Sequence, residues 1–245
     1  EAVAAATYDL QQFTDSIYGN EPKTTVSISR SINVSIPDLH ILHIDTTMIV
    51  INKQAGLLSQ PGRRAEKWDS VITRIKPHYP DAVVVHRLDE PTSGLMMIAL
   101  GKAMSSGLSR SFRERLVNKR YEAVVNGIMV DDEGSVDIPL MADWPNRPRQ
   151  KIDFENGRPS LTHFRVLERN ISENSTRVDL EPYTGRSHQL RMHLMALGHP
   201  ILGDPLYADP ESLGRAPRML LHAKHLDLDH PLTGHKLTFD TPVPF

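Results

Sequence analysis

Cysteine is absent from all 245 residues. That excludes disulfides, thiolate nucleophiles and sulfur-ligated zinc together, and it fits a reducing compartment, so the cytoplasm is expected. Long apolar runs are also absent. No stretch approaches the ~18 to 20 residues that a spanning helix needs, and a soluble protein is expected. The residues after Glu1 carry neither a basic segment nor a compact apolar one, so no secretory signal is expected. Strong net charge is missing too, at −2. Spread evenly, that value would argue against a polyanionic partner. Instead Arg110, Arg113, Arg115, Lys119 and Arg120 crowd one segment and Arg147, Arg149 and Lys151 another. Local patches, more than global charge, attract phosphates.

What is present suits a globular protein with a sizeable core: 39% hydrophobic and 24% charged residues. Residues 1–20 could form a short helix with Leu10, Phe13 and Ile17 on one side, and 25–36 alternate apolar and polar like a half-buried strand. Residues 1–37 are read as an appendage and 38–245 as the main domain. Strands are expected at 48–53, 121–127, 177–181 and 220–228. Helices are expected at 70–75, 102–118 and 187–197, with Leu108, Phe112 and Leu116 on the apolar face of the second and Leu190, Leu194 and Leu197 on that of the third. Asp131–Gly134 reads as a turn. The segment 144–151 contains Pro145 and Pro148, which rule out regular helix, and it becomes a basic loop with Trp144 in it.

The rest is organised around residues 83–98, where two apolar runs flank a polar turn, His86-Arg87-Leu88-Asp89-Glu90-Pro91-Thr92-Ser93-Gly94. Two buried strands would anchor that loop at both ends. An Asp in such a turn ordinarily bonds its own backbone, so the loop alone does not make a site. Other chemistries fail on spacing. His188 and His193 are five apart, off the shared face of an i, i+4 metal pair, and His40/His43 and His222/His225 sit three apart in apparent strands. Gly101-Lys102 lacks the Ser or Thr of a phosphate loop. Asp89 and Glu90, being adjacent, are aimed apart rather than flanking one bond as glycosidase carboxylates do. Ser93 has no nucleophile elbow around it.

The His86–Gly94 segment resembles the signature of the RluA-type family of RNA pseudouridine synthases, His-Arg-Leu-Asp, two variable residues, then Thr-Ser-Gly. Asn52–Leu58 is similar to the family's upstream motif, with Gln54 in place of the usual proline. Thr184–His193 is similar to its downstream motif, and with Gly198–Asp204 the resemblance spans about residues 39–245. It implies an α+β pseudouridine synthase fold: a mixed, mainly antiparallel central sheet flanked by helices and loops, with an RNA-binding catalytic cleft. It implies that a uridine's N1–C1′ bond breaks, that the base rotates while bound and that it reattaches through C5, without cofactor or metal.

By the same resemblance Asp89 is the catalytic carboxylate, either attacking the sugar or removing a sugar proton. Tyr121 stacks on the flipped base, Arg191 pairs with the aspartate, Arg87 enters the space the base leaves and Leu220 lines the pocket. Arg186 and His188 support the loop or contact phosphate, and Arg147 and Arg149 supply a basic RNA contact. A flipped nucleotide costs a few kcal/mol of unstacking, which stacking on a tyrosine helps offset. Residues 1–37 are too few for the small RNA-binding domain that many members carry. Such short members, with the segment 143–148, look most like those that modify both a 23S rRNA loop and a tRNA anticodon stem-loop. A monomer is expected. A member acting on rRNA only or tRNA only, and a non-catalytic RNA-binding or ribosome-assembly protein, are the alternatives.

Overall fold

A computed structural model describes Ile36 and residues 38–245. The helix expected around Leu10–Ile17 and the alternating strand before Ile36 lie outside the described residues.

Two strands made of almost unbroken apolar sequence form the middle of the core: β2 (Met48–Lys53), which follows β1 (His40–Ile44), and β4 (Ser93–Leu100). Every residue of β4 is buried, as a strand covered on both faces requires. Alternation sorts the side chains. Ile49, Ile51, Met96 and Ile98 meet helix α1 (Val71–Ile75) on one face. Met48, Val50, Leu95, Met97 and Ala99 meet Met104 and Leu108 of α2 (Gly101–Arg113) on the other. Helix α1 starts on a capping box between Ser70 and Thr73. Between the two helices, β3 (Ala82–Val84) pairs antiparallel with the end of β4, so the polar loop from Val85 to Thr92 is clamped by two paired strands.

The remaining strands are β5 (Asn118–Asn126), β6 (Glu133–Asp137), β7 (Leu140–Ala142), β8 (Gln150–Ile152), β9 (Leu161–Asn170), β10 (Ser175–Pro182), β11 (Leu221–Asp229) and β12 (Lys236–Asp240). The large sheet runs β1-β2-β4-β11-β5-β10-β9-β6, with β3 on β4 and β12 on β11, while β7 and β8 form a separate hairpin. Among the described strands only the β4–β11 contact is parallel. The sheet is therefore mixed and mainly antiparallel, and the architecture is α+β as expected.

That parallel contact is brief, His222 opposite Ser93 and Ala223 opposite Gly94, before the strands part. Gly94 has φ of 116°, and a Cβ there would lie 2.2 Å from the Ala223 carbonyl oxygen. Only glycine lets the two backbones cross at this point. On the other half of the sheet, β5 and β10 bury Ala123, Val125, Val178 and Leu180 beneath Leu190 and Leu194 of α3 (Gln189–Ala196). Their opposite face carries ion pairs, with Asp179 meeting Arg120 and Lys224, and Glu122 meeting Arg177. A short helix, α4 (Pro210–Gly214), precedes β11.

Two expected helix faces end early. Helix α2 stops at Arg113, and Arg115 takes a left-handed conformation at φ 62°, which turns Leu116 out to solvent instead of onto the apolar face. Leu197 likewise falls at the C-cap of α3 and is partly exposed. The expected turn at Asp131–Gly134 is shortened because β6 already begins at Glu133.

Candidate active site

The loop from Val85 to Thr92 is held at nearly every residue. The His86 ring stacks on Phe112 at 4.3 Å, and its Nε2 accepts the Met97 backbone N–H at 2.8 Å. Burial pushes the His86 imidazole down to about 3, which keeps that acceptor unprotonated. The Ser59 hydroxyl donates to the Leu88 carbonyl and accepts the Leu88 N–H, at 2.7 and 3.0 Å. Lys53 is fully buried, and its Nζ donates to the carbonyls of Gln54, Leu57 and Glu90 at 2.9, 2.7 and 3.3 Å. Burial pushes that ammonium down to about 7, against the pull of Asp89 and Glu90. The upstream Asn52–Leu58 segment thus serves to hold the Asp89 loop, and Gln54 contributes through its backbone carbonyl. Glu90 turns away from Asp89 to pair with Lys67 at 2.6 Å.

Asp89 is left facing a cavity. Its Oδ2 lies 3.1 Å from Arg191 Nη1 and 3.8 Å from His188 Nε2. Arg191 is itself buried and forms a fork with Asp204, Nε to Oδ2 and Nη2 to Oδ1, both at 2.7 Å. Burial works against the arginine's charge, yet Asp204 and then Asp89 hold its pKa above the ordinary value. Asp204 Oδ1 also accepts the backbone N–H groups of Leu206 and Tyr207, so its position is set independently of Arg191. Asp204 lies in the Gly198–Asp204 run singled out above, but no role was assigned to it there. A lone carboxylate between Gly203 and Pro205 carries no sign of its partner.

The cavity over Asp89 is lined by Arg87, Leu88, Lys119, Tyr121, Thr184, Arg186, His188, Arg191 and Leu221, among others. Burial first, and the charge of Asp89 second, keep the Tyr121 phenol well above its ordinary pKa, so it is neutral. Burial likewise pulls Lys119 down to about 8, with Arg115 adding to the effect. A groove continues outward from Tyr121 between Arg87, Arg113, Arg115, Lys119 and Arg186, and its lining contains no carboxylate. On the far side of Asp89 a second cavity, bounded by Gln60–Gly62, Pro148, Pro205 and Leu206, also touches His188 and Arg191. Among the described residues no group of three or more His, Asp or Glu side chains could hold a metal ion, and no helix is long and apolar enough to cross a membrane.

Asp89, Tyr121, Arg191, Arg87, Arg186 and His188 therefore converge, although they come from three separate stretches of chain. Arg186 is anchored by its Nε donating to the Pro159 carbonyl at 3.1 Å. His188 stands at the N-cap of α3 in a left-handed conformation, φ 55°, which turns its ring back toward Asp89. Leu220 does not line this cavity. It lies on the opposite face of the sheet, near Arg177 and Phe245, and Leu221 takes the expected place. In a strand, one residue of register moves a side chain to the other face. Arg147 and Arg149 are exposed on the loop joining β7 to β8, Arg147 over the Trp144 ring at 4.3 Å, and reach the site only through Pro148 between them. Lys53, Lys119, Asp204 and Tyr207 were not foreseen as parts of the site. Lys53, the last residue of an apolar strand before a glycine loop, was the most visible of them.

Comparison with known proteins gives the same direction. The RNA pseudouridylate synthase family model matches residues 47–196. Over 209 residues the chain is 53% identical to the dual-specificity RNA pseudouridine synthase RluA of Escherichia coli K12, covering 85% of this chain and 95% of that protein. The Haemophilus influenzae protein of the same name is 47% identical over the same shares. The solved structure of human RNA pseudouridylate synthase domain containing 1 matches with a TM-score of 0.73 at 31% identity, covering 88% of this chain and 87% of that one. The chain belongs to the RNA pseudouridine synthase family, on its RluA side, and isomerises uridine in RNA to pseudouridine.

Proposed function

We propose that Asp89 is the catalytic carboxylate, acting on the ribose of a uridine flipped into the cavity it shares with Tyr121. The observation that carries this reading is the geometry of Asp89 itself: a carboxylate locked by Arg191 at 3.1 Å, on a clamped loop, with one side open to a cavity floored by an aromatic ring. A stacked uridine hides its reacting carbons, so the nucleotide must leave the helix, and the Tyr121 ring with Leu221 replaces the lost stacking. Arg87, exposed beside the cavity, is placed to fill the gap in the RNA. The N1–C1′ bond breaks with its electron pair going to the uracil, the uracil turns in place, C5 bonds to C1′, and the C5 proton leaves to solvent while N1 takes one up. Nothing is oxidised or reduced. Asp89 serves either by attacking C1′, leaving again as C5 bonds there, or by taking the C2′ proton, which returns to C2′ as that bond forms; both need the carboxylate against the ribose.

The carboxylate-free groove through Arg87, Arg115, Lys119 and Arg186 carries the RNA backbone, and the Trp144–Arg149 loop, with Arg147 and Arg149, touches the flanking nucleotides. The substrates we propose are a 23S rRNA loop and a tRNA anticodon stem-loop, in keeping with the dual-specificity relatives, and such substrates put the enzyme in the cytoplasm. Residues 38–245 act as the catalytic domain, with 1–37 an appendage to it. The enzyme is proposed to act as a monomer.

The test is Asp89→Asn, with tritium released from [5-³H]uridine RNA as the readout. Release falls below detection while RNA affinity stays within about threefold; retained turnover rejects the role of Asp89. Pseudouridine mapping in cells with and without the gene tests the substrates. Loss at one rRNA and one tRNA position supports dual specificity, and loss in rRNA alone rejects it.

A further inference from the structure

Behind the site, His188 Nδ1 lies 2.6 Å from the Tyr207 hydroxyl, which is also 2.8 Å from the backbone N–H of Gln150. That N–H can only donate, so the tyrosine oxygen accepts from Gln150, and among the described residues its own proton has no hydrogen-bond acceptor other than His188 Nδ1. An Nδ1 that accepts belongs to a neutral imidazole whose proton is on Nε2. Nε2 is the nitrogen facing Asp89, and its 3.8 Å from Oδ2 is too long for a hydrogen bond. The gap has the width that lets one hydroxyl oxygen sit within reach of both groups. The Tyr207 ring meanwhile lies under the Arg191 guanidinium at 5.0 Å and edge-on to His188 at 5.6 Å. Phenylalanine would preserve both ring contacts and remove the hydroxyl alone.

We propose that Tyr207 is a positioning residue that fixes His188 as its Nε2–H tautomer, so that His188 donates to a ribose hydroxyl of the target nucleotide held between it and Asp89. The proposal rests on the reading that the target uridine occupies the Asp89 cavity. Gln150, the first residue of β8, immediately follows the Trp144–Arg149 loop. The relay therefore ties the basic loop to the reacting sugar through three consecutive hydrogen bonds, Gln150 N–H to Tyr207, Tyr207 O–H to His188, and His188 Nε2–H to substrate.

Two measurements test it. In RNA-free protein labelled with ¹⁵N-histidine, His188 shows a protonated Nε2 and a bare Nδ1, and Tyr207→Phe gives a mixture of tautomers. A protonated Nδ1 in the wild type overturns the proposal. In turnover, Tyr207→Phe lowers kcat about tenfold with KM within about twofold, the cost of one misdirected hydrogen bond. Glutamine carries an amide N–H at a similar reach and has no tautomers. In a His188→Gln background the same Tyr207→Phe change therefore costs less than about twofold. An equal cost in both backgrounds shows that Tyr207 acts through packing and overturns the proposal. If His188→Gln is inactive, the tautomer measurement decides alone. Turnover retained by Asp89→Asn would instead reject the Asp89 reading, which the NMR result does not depend on.

Discussion

The Arg191–Asp204 fork makes the sharpest prediction about what holds the site. Asp204→Asn keeps shape and volume and removes one charge. Asp204 is 1% exposed and Arg191 2%, so the guanidinium loses its buried counter-charge and one amide N–H is turned against an arginine N–H. Removing one partner of a buried pair costs about 3–5 kcal/mol. Asp89, still 3.1 Å from Nη1, takes up part of that charge, which puts the expected loss near the lower end, about 3 kcal/mol. For a domain of this size that is roughly 6–12 °C in Tm. Catalysis suffers separately. Freed from the fork, Arg191 is drawn onto Asp89 and competes with the ribose, and misplacement by ~1 Å lowers kcat about 100-fold. Urea denaturation measures the first effect and tritium release the second. The signature is a double replacement: Arg191→Met with Asp204→Asn recovers part of the lost stability, since no buried charge is left unpaired and the amide oxygen still accepts the Leu206 and Tyr207 N–H groups, yet stays inactive. A Asp204→Asn variant within about 1 kcal/mol of the wild type and turning over at full rate would refute the reasoning.

Other consequences follow from the same contacts. Gly94→Ala puts a methyl group 2.2 Å from the Ala223 carbonyl at a φ of 116°, so a loss above about 4 kcal/mol and mostly insoluble protein are expected; soluble protein melting normally would contradict the close crossing. Lys53→Met deprives three loop carbonyls of their donor, and amide exchange across residues 85–92 should quicken along with loss of turnover. His86, pushed by burial to about 3, stays neutral in the fold while the unfolded chain takes up a proton below about pH 6.5. The stability it confers is therefore full above pH 6.5 and is lost as pH falls toward 3. His86→Gln should flatten the stability–pH slope in that window by about 1.4 kcal/mol per pH unit, and unchanged slopes would be evidence against a neutral His86. Arg147→Ala with Arg149→Ala should weaken RNA binding and reduce the magnitude of the log K against log salt slope by about 1–2, with kcat at saturating RNA little changed.

Much of this protein was readable from sequence because much of it is local. Continuous apolar runs at Met48–Lys53 and Leu95–Leu100 identify strands buried on both faces, and the polar turn between Val85 and Ser93 can only be a loop clamped by two of them. Capping at Ser70 and the prolines at 145 and 148 mark ends and breaks through residues a few positions apart. Asp89, Tyr121 and Arg191 were legible as candidates only because their stretches resemble the motifs of one family.

Which residues actually meet was decided only by tertiary structure. Arg191 finds Asp89 across 102 positions, and no periodicity spans such a distance. Leu221 rather than Leu220 faces the Asp89 cavity because pairing with β5 sets the register of β11, and adjacent strand residues point to opposite faces. Lys53 is buried because the turn that follows it and the Asp89 loop together bring three carbonyls around its ammonium. Tyr207 and Gln150 matter only because a hydroxyl and a backbone N–H, 57 positions apart, arrive on the same side of His188. Local sequence sets conformation and the residue types on offer; long-range strand pairing and burial determine which of those groups share a site.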